Sequence, residues 1–181
     1  MTVKSAAEVR AFWFSDEMRP NWFVKSDAVD RRIAEEFGPT YEAAHRGELD
    51  GWAETPQDAL ALVVVLDQFP RNMFRGDPRS FESNDLAVKH ARLAVDRGFD
   101  AELDVEGRQF LYLPFEHSEE LGDQDRSVAL YEALGDAEAL DYAHQHRDII
   151  ARFGRFPHRN KVLGREDTPE EAEFLKTHTG F

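Results

Sequence analysis

The sequence predicts an all-α protein of about eight helices, and three observations support this fold class. Capping residues mark the start of several segments, apolar residues recur at the spacing of one helix face, and no segment is a convincing strand. No linker, low-complexity stretch or change of composition divides the chain. We therefore expect a single helical domain that spans residues 1–181.

The first well-marked helix follows Ser26, whose hydroxyl can accept a hydrogen bond from the first turn. We expect this helix to run to Phe37 and to stop at Gly38 and Pro39. Proline removes a helical hydrogen bond and disfavours helical backbone in the residue before it.

The segment after Thr55 is predicted to be a buried helix. Thr55 can cap it, and Pro56 suits the first helical position. The run Ala59–Leu66 is apolar throughout, and its three consecutive valines also favour a strand. We interpret the run as a helix because a cap precedes it and no partner strand is visible elsewhere.

Another helix is predicted between two turn signals. Asp77 and Pro78 should open it, and Gly98 should close it after Arg97, because glycine readily adopts the left-handed conformation that ends many helices.

Two helices are predicted in the last third of the chain. The first runs from about Ala137 to Phe153, because its apolar residues fall on one helix face. The second begins at Thr168 and Pro169, where Glu171 completes a capping box. The apolar face of the first helix comprises Ala139, Tyr142, Ala143, His146, Ile149, Ile150 and Phe153.

Composition and charge exclude several classes of function. The chain has no cysteine, which excludes disulfides, thiol catalysis, cysteine-ligated zinc and iron–sulfur clusters. Its formal net charge of −14 repels phosphate backbones, so we expect no nucleic-acid partner. The longest apolar run has eight residues, too few to span a membrane. Since no signal peptide is visible either, we expect a cytoplasmic protein with no membrane partner.

A short sequence motif occurs twice. Phe69-Pro70-Arg71-Asn72 follows one predicted helix, and Phe156-Pro157-His158-Arg159-Asn160 follows another. We expect each proline to end its helix, to hold the preceding phenylalanine extended and to present an Arg-Asn pair beyond it. An internal duplication is one interpretation of this match, and chance is the other.

Basic residues concentrate near the second copy of the motif. Guanidinium groups suit carboxylate and phosphate, so this clustering favours an anion site. The structural alternative is that the arginines pair internally with Asp67, Glu116, Glu119 or Glu120 and hold loops in place. The cluster comprises Arg147, Arg152, Arg155, Arg159, Lys161 and Arg165, and a second cluster near the first copy comprises Arg71, Arg75 and Arg79.

A second group of candidate residues surrounds Pro114, which we expect to interrupt or kink its helix. Glu116 and His117 could perform acid–base chemistry if they lined a cleft. The alternative is a capping and salt-bridge cluster at a helix junction, and it is favoured because no nucleophile motif accompanies the pair.

Metal binding is not expected, and no cofactor is indicated. Glu42 precedes His45 and Asp141 precedes His144 at the acid-x-x-His spacing of carboxylate-bridged metal sites, but such sites need two further glutamates. His146 lies on an apolar helix face, so we interpret it as a hydrogen-bonded core histidine rather than a metal ligand.

Several motifs occur along nearly the whole chain in a fixed order. They are Phe12–Phe14, Trp22, Leu66–Asn72 with Arg75-Gly76, Phe110–Glu119, His146-Arg147, Arg152–Asn160, Leu163–Arg165 and Thr168–Glu171. Together they resemble an uncharacterised bacterial family, domain of unknown function 924. The resemblance implies a tetratricopeptide-like α–α superhelix and implies no established activity, so it carries over no catalytic residue.

Three hypotheses about function follow. The first is a binding protein whose two Arg-Asn motifs share a groove for a peptide carboxylate, an acidic peptide or a phosphorylated metabolite. The second is an enzyme for a small anionic substrate, with His117 or His146 as general acid or base. The third is a purely structural role for the arginines. The candidate ligand-binding residues are Asp67, Arg71, Asn72, Arg75, Glu116, His117, Glu119, His146, Arg147, Arg155, Arg159 and Asn160.

Overall fold

The computed structural model describes residues 2–178 and 180, and every regular element within them is helical. The prediction of an all-α protein is therefore confirmed. The α-helices are α1 (Ala6–Trp13), α2 (Asp27–His45), α3 (Pro56–Met73), α4 (Asn84–Asp96), α5 (Val105–His117), α6 (Leu121–Leu134), α7 (Ala137–Phe153), α8 (Asn160–Leu163) and α9 (Pro169–Phe174). Short 3₁₀ helices occur at Arg19–Asn21, Asp50–Glu54, Pro78–Phe81, Phe99–Glu102 and Pro157–Arg159.

The chain divides into two compact units. The N-terminal unit comprises Met1–Arg75 and Arg79–Pro114, and the C-terminal unit comprises Gly76–Pro78 and Phe115–Phe181. The boundary between them falls inside α5, after Pro114. A single domain over residues 1–181 stays a prediction.

Helix α3 forms the centre of the N-terminal unit, where it packs against α1, α2 and α4. Every residue from Ala59 to Pro70 is buried. A helix with all its faces covered needs apolar residues all around, which explains the valine-rich run. The prediction of a buried helix rather than a strand is confirmed.

Three predicted helix starts, those after Ser26, Thr55 and Thr168, are found where their capping residues lie. The hydroxyl oxygens of Ser26 and Thr55 accept hydrogen bonds from the third residue after each cap, at 3.4 Å and 3.3 Å. The Thr168 hydroxyl accepts from the Glu171 N–H at 3.2 Å, and the Glu171 carboxylate accepts from the Thr168 N–H at 2.7 Å. The predicted capping box is thus present, because each residue satisfies the other's backbone donor.

Three prolines lie inside helices, and for Pro39 and Pro70 this corrects the prediction that the helix ends there. Helix α2 continues through Pro39 to His45 instead of stopping near Phe37, and α3 continues through Pro70 to Met73. Phe37 and Tyr41 are buried on either side of Pro39. We infer that packing along these helices offsets the hydrogen bond that each proline removes. Helix α5 likewise continues through Pro114, so that proline does not interrupt it.

The helix expected after Asp77 begins later than predicted. A 3₁₀ turn occupies Pro78–Phe81, and the α-helix starts at Asn84. Its end agrees with the prediction, because Gly98 adopts a φ of 74° one residue beyond the cap.

The C-terminal unit is organised around α6 and α7, which pack against each other. Helix α7 has the predicted bounds, and its residues Ile149 and Ile150 form a small core with Phe156. Within residues 2–178 and 180, no helix has the length and apolar character needed to cross a membrane.

Candidate functional site

Arg71, in the first copy of the motif, is held by neighbours within the N-terminal unit. Its Nη1 donates to the Ser80 carbonyl oxygen at 3.2 Å and to Asn84 Oδ1 at 3.0 Å. Its Nη2 lies 3.5 Å from Oδ1 of Asp67, whose side chain is only 1% exposed. Arg71 therefore neutralises a buried carboxylate one helical turn away.

Asn72 and Arg75 both bind Asp30, which lies on α2. The Asn72 amide donates to Asp30 Oδ1 at 2.8 Å, and Arg75 donates from Nε and Nη2 at 2.8 Å and 2.9 Å. Burial opposes ionisation of Asp30, but the hydrogen bonds from Arg75 and Asn72 outweigh it and lower the pKa of this carboxyl. These contacts join α2 to the end of α3 and leave Arg75 in a bidentate ion pair.

Arg155 and Asn160 belong to a network around Glu171 in the C-terminal unit. Arg155 donates from Nε and Nη2 to the two carboxylate oxygens of Glu171, at 2.6 Å and 2.7 Å. The Arg155 hydrogen bonds and the Thr168 N–H together outweigh burial and lower the pKa of Glu171 to about 2. Asn160 donates to Asp167 Oδ1 at 2.8 Å in the same network.

Glu119 anchors the start of the second motif. It accepts two hydrogen bonds from Arg165, at 2.7 Å and 3.0 Å, and one from the Phe156 N–H at 2.9 Å. Burial opposes ionisation here too, but these donors lower the pKa of Glu119. Arg147, by contrast, pairs with Asp125 at 2.6 Å through a partly exposed side chain.

A group of basic side chains surrounds the fully buried ring of Phe156. The Arg159 guanidinium lies over this ring, 4.3 Å from its centroid. The His146 ring lies 5.6 Å from it and the His158 ring 5.5 Å, and His117 lies 6.5 Å from His146. We call these residues, together with Glu116, the Phe156 cluster.

The backbone after α7 places this cluster. Phe156 is extended, and Pro157 takes the first position of a 3₁₀ turn that carries His158 and Arg159. Proline suits that position because it has no N–H to lose there. The prediction that proline holds the preceding phenylalanine extended is confirmed for Phe156. It is wrong for Phe69, which is helical.

Glu116 and His146 form a buried acid–histidine pair within the cluster. Both residues and Arg159 are about 5% exposed. His146 Nδ1 lies 3.3 Å from Glu116 Oε1 and 2.8 Å from the Tyr142 carbonyl oxygen. The interpretation of His146 as a buried, hydrogen-bonded histidine agrees with this geometry.

Two histidines of the cluster are neutral at physiological pH. Burial lowers the pKa of His146 to about 3, against the hydrogen bond to Tyr142, and nearby His117, Arg159 and His158 lower it further. Burial, followed by the charge of Arg159, lowers the pKa of His158 to about 4. Both rings therefore lie in surroundings that disfavour additional positive charge.

The structure brings some of the predicted residues together and separates others into distinct networks. In the C-terminal unit, the candidates in the Phe156 cluster are Glu116, His117, His146 and Arg159. The other candidates there are Glu119, Arg147, Arg155 and Asn160, and those of the N-terminal unit are Asp67, Arg71, Asn72 and Arg75.

Several residues of these networks, including the following five, were not among the predicted site residues. Arg165 and His158 lie in the basic segment that the sequence analysis had noted. Glu171 had been recognised only as part of a capping box. Each of the three could therefore have been found from a local sequence pattern. Asp30 had none, because nothing near it in sequence indicates a contact with the end of α3. Phe156 was recognised only as the residue before a proline.

No group of three or more His, Asp or Glu side chains in the described part of the chain is placed to hold a metal ion.

These features define an all-helical protein with a buried basic cluster at a turn. The chain belongs to a family described as a bacterial protein of unknown function, DUF924, whose model matches residues 9–179. This confirms the resemblance that the sequence motifs indicated.

The chain is similar in structure to a protein of unknown function from Agrobacterium tumefaciens. The two are 43% identical, the match covers 96% of this chain and 97% of that one, and the TM-score is 0.90. None of the curated proteins compared with the chain matches it.

Proposed function

We propose that the protein binds a small anion, such as a carboxylate or a phosphoryl group, at the Phe156 cluster. One observation carries this proposal. Arg159, His146 and His158 surround a single buried aromatic ring, with Arg159 only about 5% exposed. An oxyanion bound beside that ring would meet the charged donor of Arg159.

Burial makes Arg159 an effective anion-binding group. Guanidinium keeps its positive charge in proteins, and its planar set of donors matches the oxygens of carboxylate and phosphate. Electrostatic attraction is stronger where water is excluded. The charge of Arg159 already lowers the pKa values of His146, His158 and Glu119, so its field extends through the cluster.

Arg71, Arg75 and Arg155 are left out of the proposed site. Each forms an ion pair within its own compact unit. Arg71 pairs with Asp67, Arg75 pairs with Asp30, and Arg155 pairs with Glu171. A ligand would have to displace these carboxylates before it could use the arginines. The groove shared by the two Arg-Asn motifs stays a prediction, and the proposed site needs only the second motif.

Enzymatic action on a small anionic substrate is the alternative, and His117 is then the better general acid or base. A catalytic group works best with a pKa near the working pH. The pKa of His146, lowered to about 3, makes that ring a poor proton donor near neutrality. His117 is only partly buried and lies at the end of α5, 6.5 Å from His146.

The identity of the anion and the setting of the protein are also proposals. The candidates are a peptide carboxylate, an acidic peptide and a phosphorylated metabolite, since each presents an oxyanion to Arg159. A tetratricopeptide-like superhelix, a cytoplasmic location and the lack of a nucleic-acid partner stay predictions.

A thermal-shift measurement with phosphate, sulfate and simple carboxylates tests the proposal. A ligand at 100 times its Kd stabilises the folded state by about 2.7 kcal/mol. For a domain of this size, that corresponds to a rise in Tm of about 5–10 °C. We expect this rise in the natural protein and not in Arg159→Met, which removes the charge and keeps much of the apolar stem over Phe156.

Arg147→Met is the matched control because it makes the same chemical change at a partly exposed ion pair of the same unit. It should keep the full rise in Tm. Equal shifts in Arg159→Met and the natural protein would contradict the proposed site. The absence of any shift with every anion would contradict anion binding at the cluster.

A further inference from the structure

A cleft of about 330 Å³ lies between α1 and α2 in the N-terminal unit. Sites for small organic ligands begin at roughly this size, about 300 Å³. The Lys4 N–H donates to Thr40 Oγ1 at 2.8 Å and ties the segment before α1 to α2. All the residues that line this α1–α2 cleft belong to one compact unit, and none of them belongs to the Phe156 cluster.

Part of the cleft lining is apolar. Ala11 and Phe12 contribute from α1, and Phe37 contributes from α2. The rings of Phe12 and Phe37 lie with their centroids 4.7 Å apart. Phe37 is buried, whereas Phe12 is partly exposed and Ala11 is exposed. The open surface of Phe12 and Ala11 can therefore take an apolar group out of water.

Arg32 shows how the cleft accommodates a positive charge. Its guanidinium carbon lies over the Phe12 ring, 4.9 Å from the centroid. Its Nε donates to Glu36 Oε1 at 2.8 Å, and its Nη1 donates to Glu17 Oε1 at 2.9 Å. Cations are attracted both to aromatic faces and to carboxylates. The chain's own guanidinium thus uses the two kinds of contact that the cleft offers to a cation.

Carboxylates outnumber cations in the lining of the cleft, and both cations are already paired. Lys4 Nζ lies 3.3 Å from Glu8, and Arg32 binds the other two carboxylates. In the contacts between described residues, the carboxylates of Glu17 and Glu36 each use only Oε1. Oε2 of each can accept a hydrogen bond from a ligand, because a carboxylate accepts up to about four. The cleft therefore suits a ligand that donates hydrogen bonds and carries a positive charge.

We propose that the α1–α2 cleft binds a small organic amine, with the ammonium group at Glu36 and the apolar body against Phe12 and Ala11. An ammonium group has three donors and no acceptor, which matches the unused carboxylate oxygens. Glu36 is the better anchor because its side chain is 43% exposed, against 76% for Glu17, so solvent screens it less. The net charge of −14 also attracts cations.

Three compounds with one apolar body and different head groups test the proposal. They are 2-phenylethylamine, 2-phenylethanol and phenylacetate, which are positive, neutral and negative at pH 7. We expect the amine to bind with a millimolar Kd, because exposed ion pairs are weak. It should bind about tenfold more tightly than phenylacetate, since the carboxylates of the cleft repel an anion. NMR titration of the isotope-labelled protein measures each Kd and shows which residues respond.

Glu36→Gln tests the anchor, because glutamine keeps the shape of the side chain and removes its charge. This variant should bind 2-phenylethylamine about fivefold more weakly and 2-phenylethanol equally well. Glu35→Gln is the matched control, because it makes the same change at the preceding, exposed position of α2, outside the cleft lining. It should leave both affinities unchanged.

Ala11→Phe is a second variant that tests the space itself. The larger side chain at this exposed position of α1 should fill the cleft and abolish the binding of both compounds. Shifts confined to residues of α1 and α2 in the natural protein, and lost in this variant, would support the proposed site.

The proposal fails if 2-phenylethylamine shifts no residue of the cleft. Equal affinity for the three compounds would overturn it, because the cleft would then recognise only the apolar body. A loss in Glu35→Gln as large as that in Glu36→Gln would also overturn it, since the overall charge would then account for the attraction. None of these outcomes bears on the anion site, which lies in the other compact unit.

Discussion

The two copies of the Arg-Asn motif have different backbones. Phe69–Asn72 lies inside helix α3, whereas Phe156–Asn160 forms an extended residue, a 3₁₀ turn and the start of α8. In a helix, residues four apart are neighbours, so Arg71 meets Asp67 and forms an ion pair. Arg159 lies in the 3₁₀ turn after α7, and its guanidinium lies over the ring of Phe156.

This comparison shows that backbone conformation decides what an arginine contacts. Arg71 offsets the charge of the buried Asp67 carboxylate. The Arg159 guanidinium lies over the ring of Phe156, and its charge also acts on the nearby Glu119 carboxylate. We therefore infer that the first arginine stabilises the fold, and we assign only the second to the proposed anion site.

The largest expected effect distinguishes these two roles by stability. Arg71→Met should lower the free energy of unfolding by about 3 kcal/mol, because it removes a guanidinium that lies 3.5 Å from the buried carboxylate of Asp67. Arg159→Met should change the free energy of unfolding by less than about 1 kcal/mol, because a binding residue need not stabilise the fold. Urea denaturation of both variants measures the difference.

The double variant with Asp67→Asn serves as the control for the first change. Removing the carboxylate as well should recover part of the loss caused by Arg71→Met. Equal losses at Arg71 and Arg159 would show that both arginines are structural, and the contrast between the two motifs would then fail.

A smaller effect concerns the ion pair of Arg155 and Glu171 in the C-terminal unit. Glu171 has a pKa of about 2 in the folded protein against an ordinary value of 4.5. A lowered folded-state pKa stabilises the fold at pH values above the ordinary one, and this stability is lost as the pH falls towards 2. We expect the natural protein to lose about 2 kcal/mol over this range, more than Glu171→Gln does.

Acid denaturation monitored by circular dichroism compares the natural protein with Glu171→Gln. The two curves should converge as the pH approaches 2, because the protonated glutamic acid and the glutamine are both neutral. Parallel curves would mean that Glu171 contributes nothing to acid sensitivity, and that the second motif does not depend on this ion pair.

The smallest effect is expected at Arg147, whose ion pair with Asp125 is partly exposed. Arg147→Met should change the free energy of unfolding by no more than about 0.5 kcal/mol, because solvent screens exposed pairs. Thermal unfolding with and without phosphate measures both its stability and its anion response. A loss as large as that of Arg71→Met would show that surface charge, rather than backbone context, governs the basic residues.

Much of the helical structure could be predicted because its signals are local. Thr55, Ser26 and Thr168 each cap a helix within one turn, and the apolar spacing of α7 predicted its bounds. The predictions at the prolines were wrong because they too used only local signals. Pro39 and Pro70 disfavour a helix locally, but the burial of other residues in α2 and α3 outweighs this preference.

The candidate site could be predicted only as a set of residue types. Glu116, His146 and Arg159 were recognised as candidates from the sequence. The pairing of Glu116 with His146 could not be predicted, because this contact exists only where the last turn of α5 lies beside α7. Likewise, Glu119 and Arg165 are 46 residues apart and meet only in the folded chain. Sequence spacing carries no information about such contacts, because they depend on how helices pack.

The amino-acid sequence by itself determined the all-α class, most of the helix starts and membership of the family, since capping, apolar periodicity and ordered motifs act within short segments. Only the tertiary structure decided which prolines a helix tolerates and which arginines are tied to carboxylates. The physical reason is that burial and ion pairing depend on neighbours distant in sequence. Arg71 and Arg159 share a motif and differ in their contacts, because α3 places a carboxylate one turn away from Arg71, whereas the turn after α7 places an aromatic ring beneath Arg159.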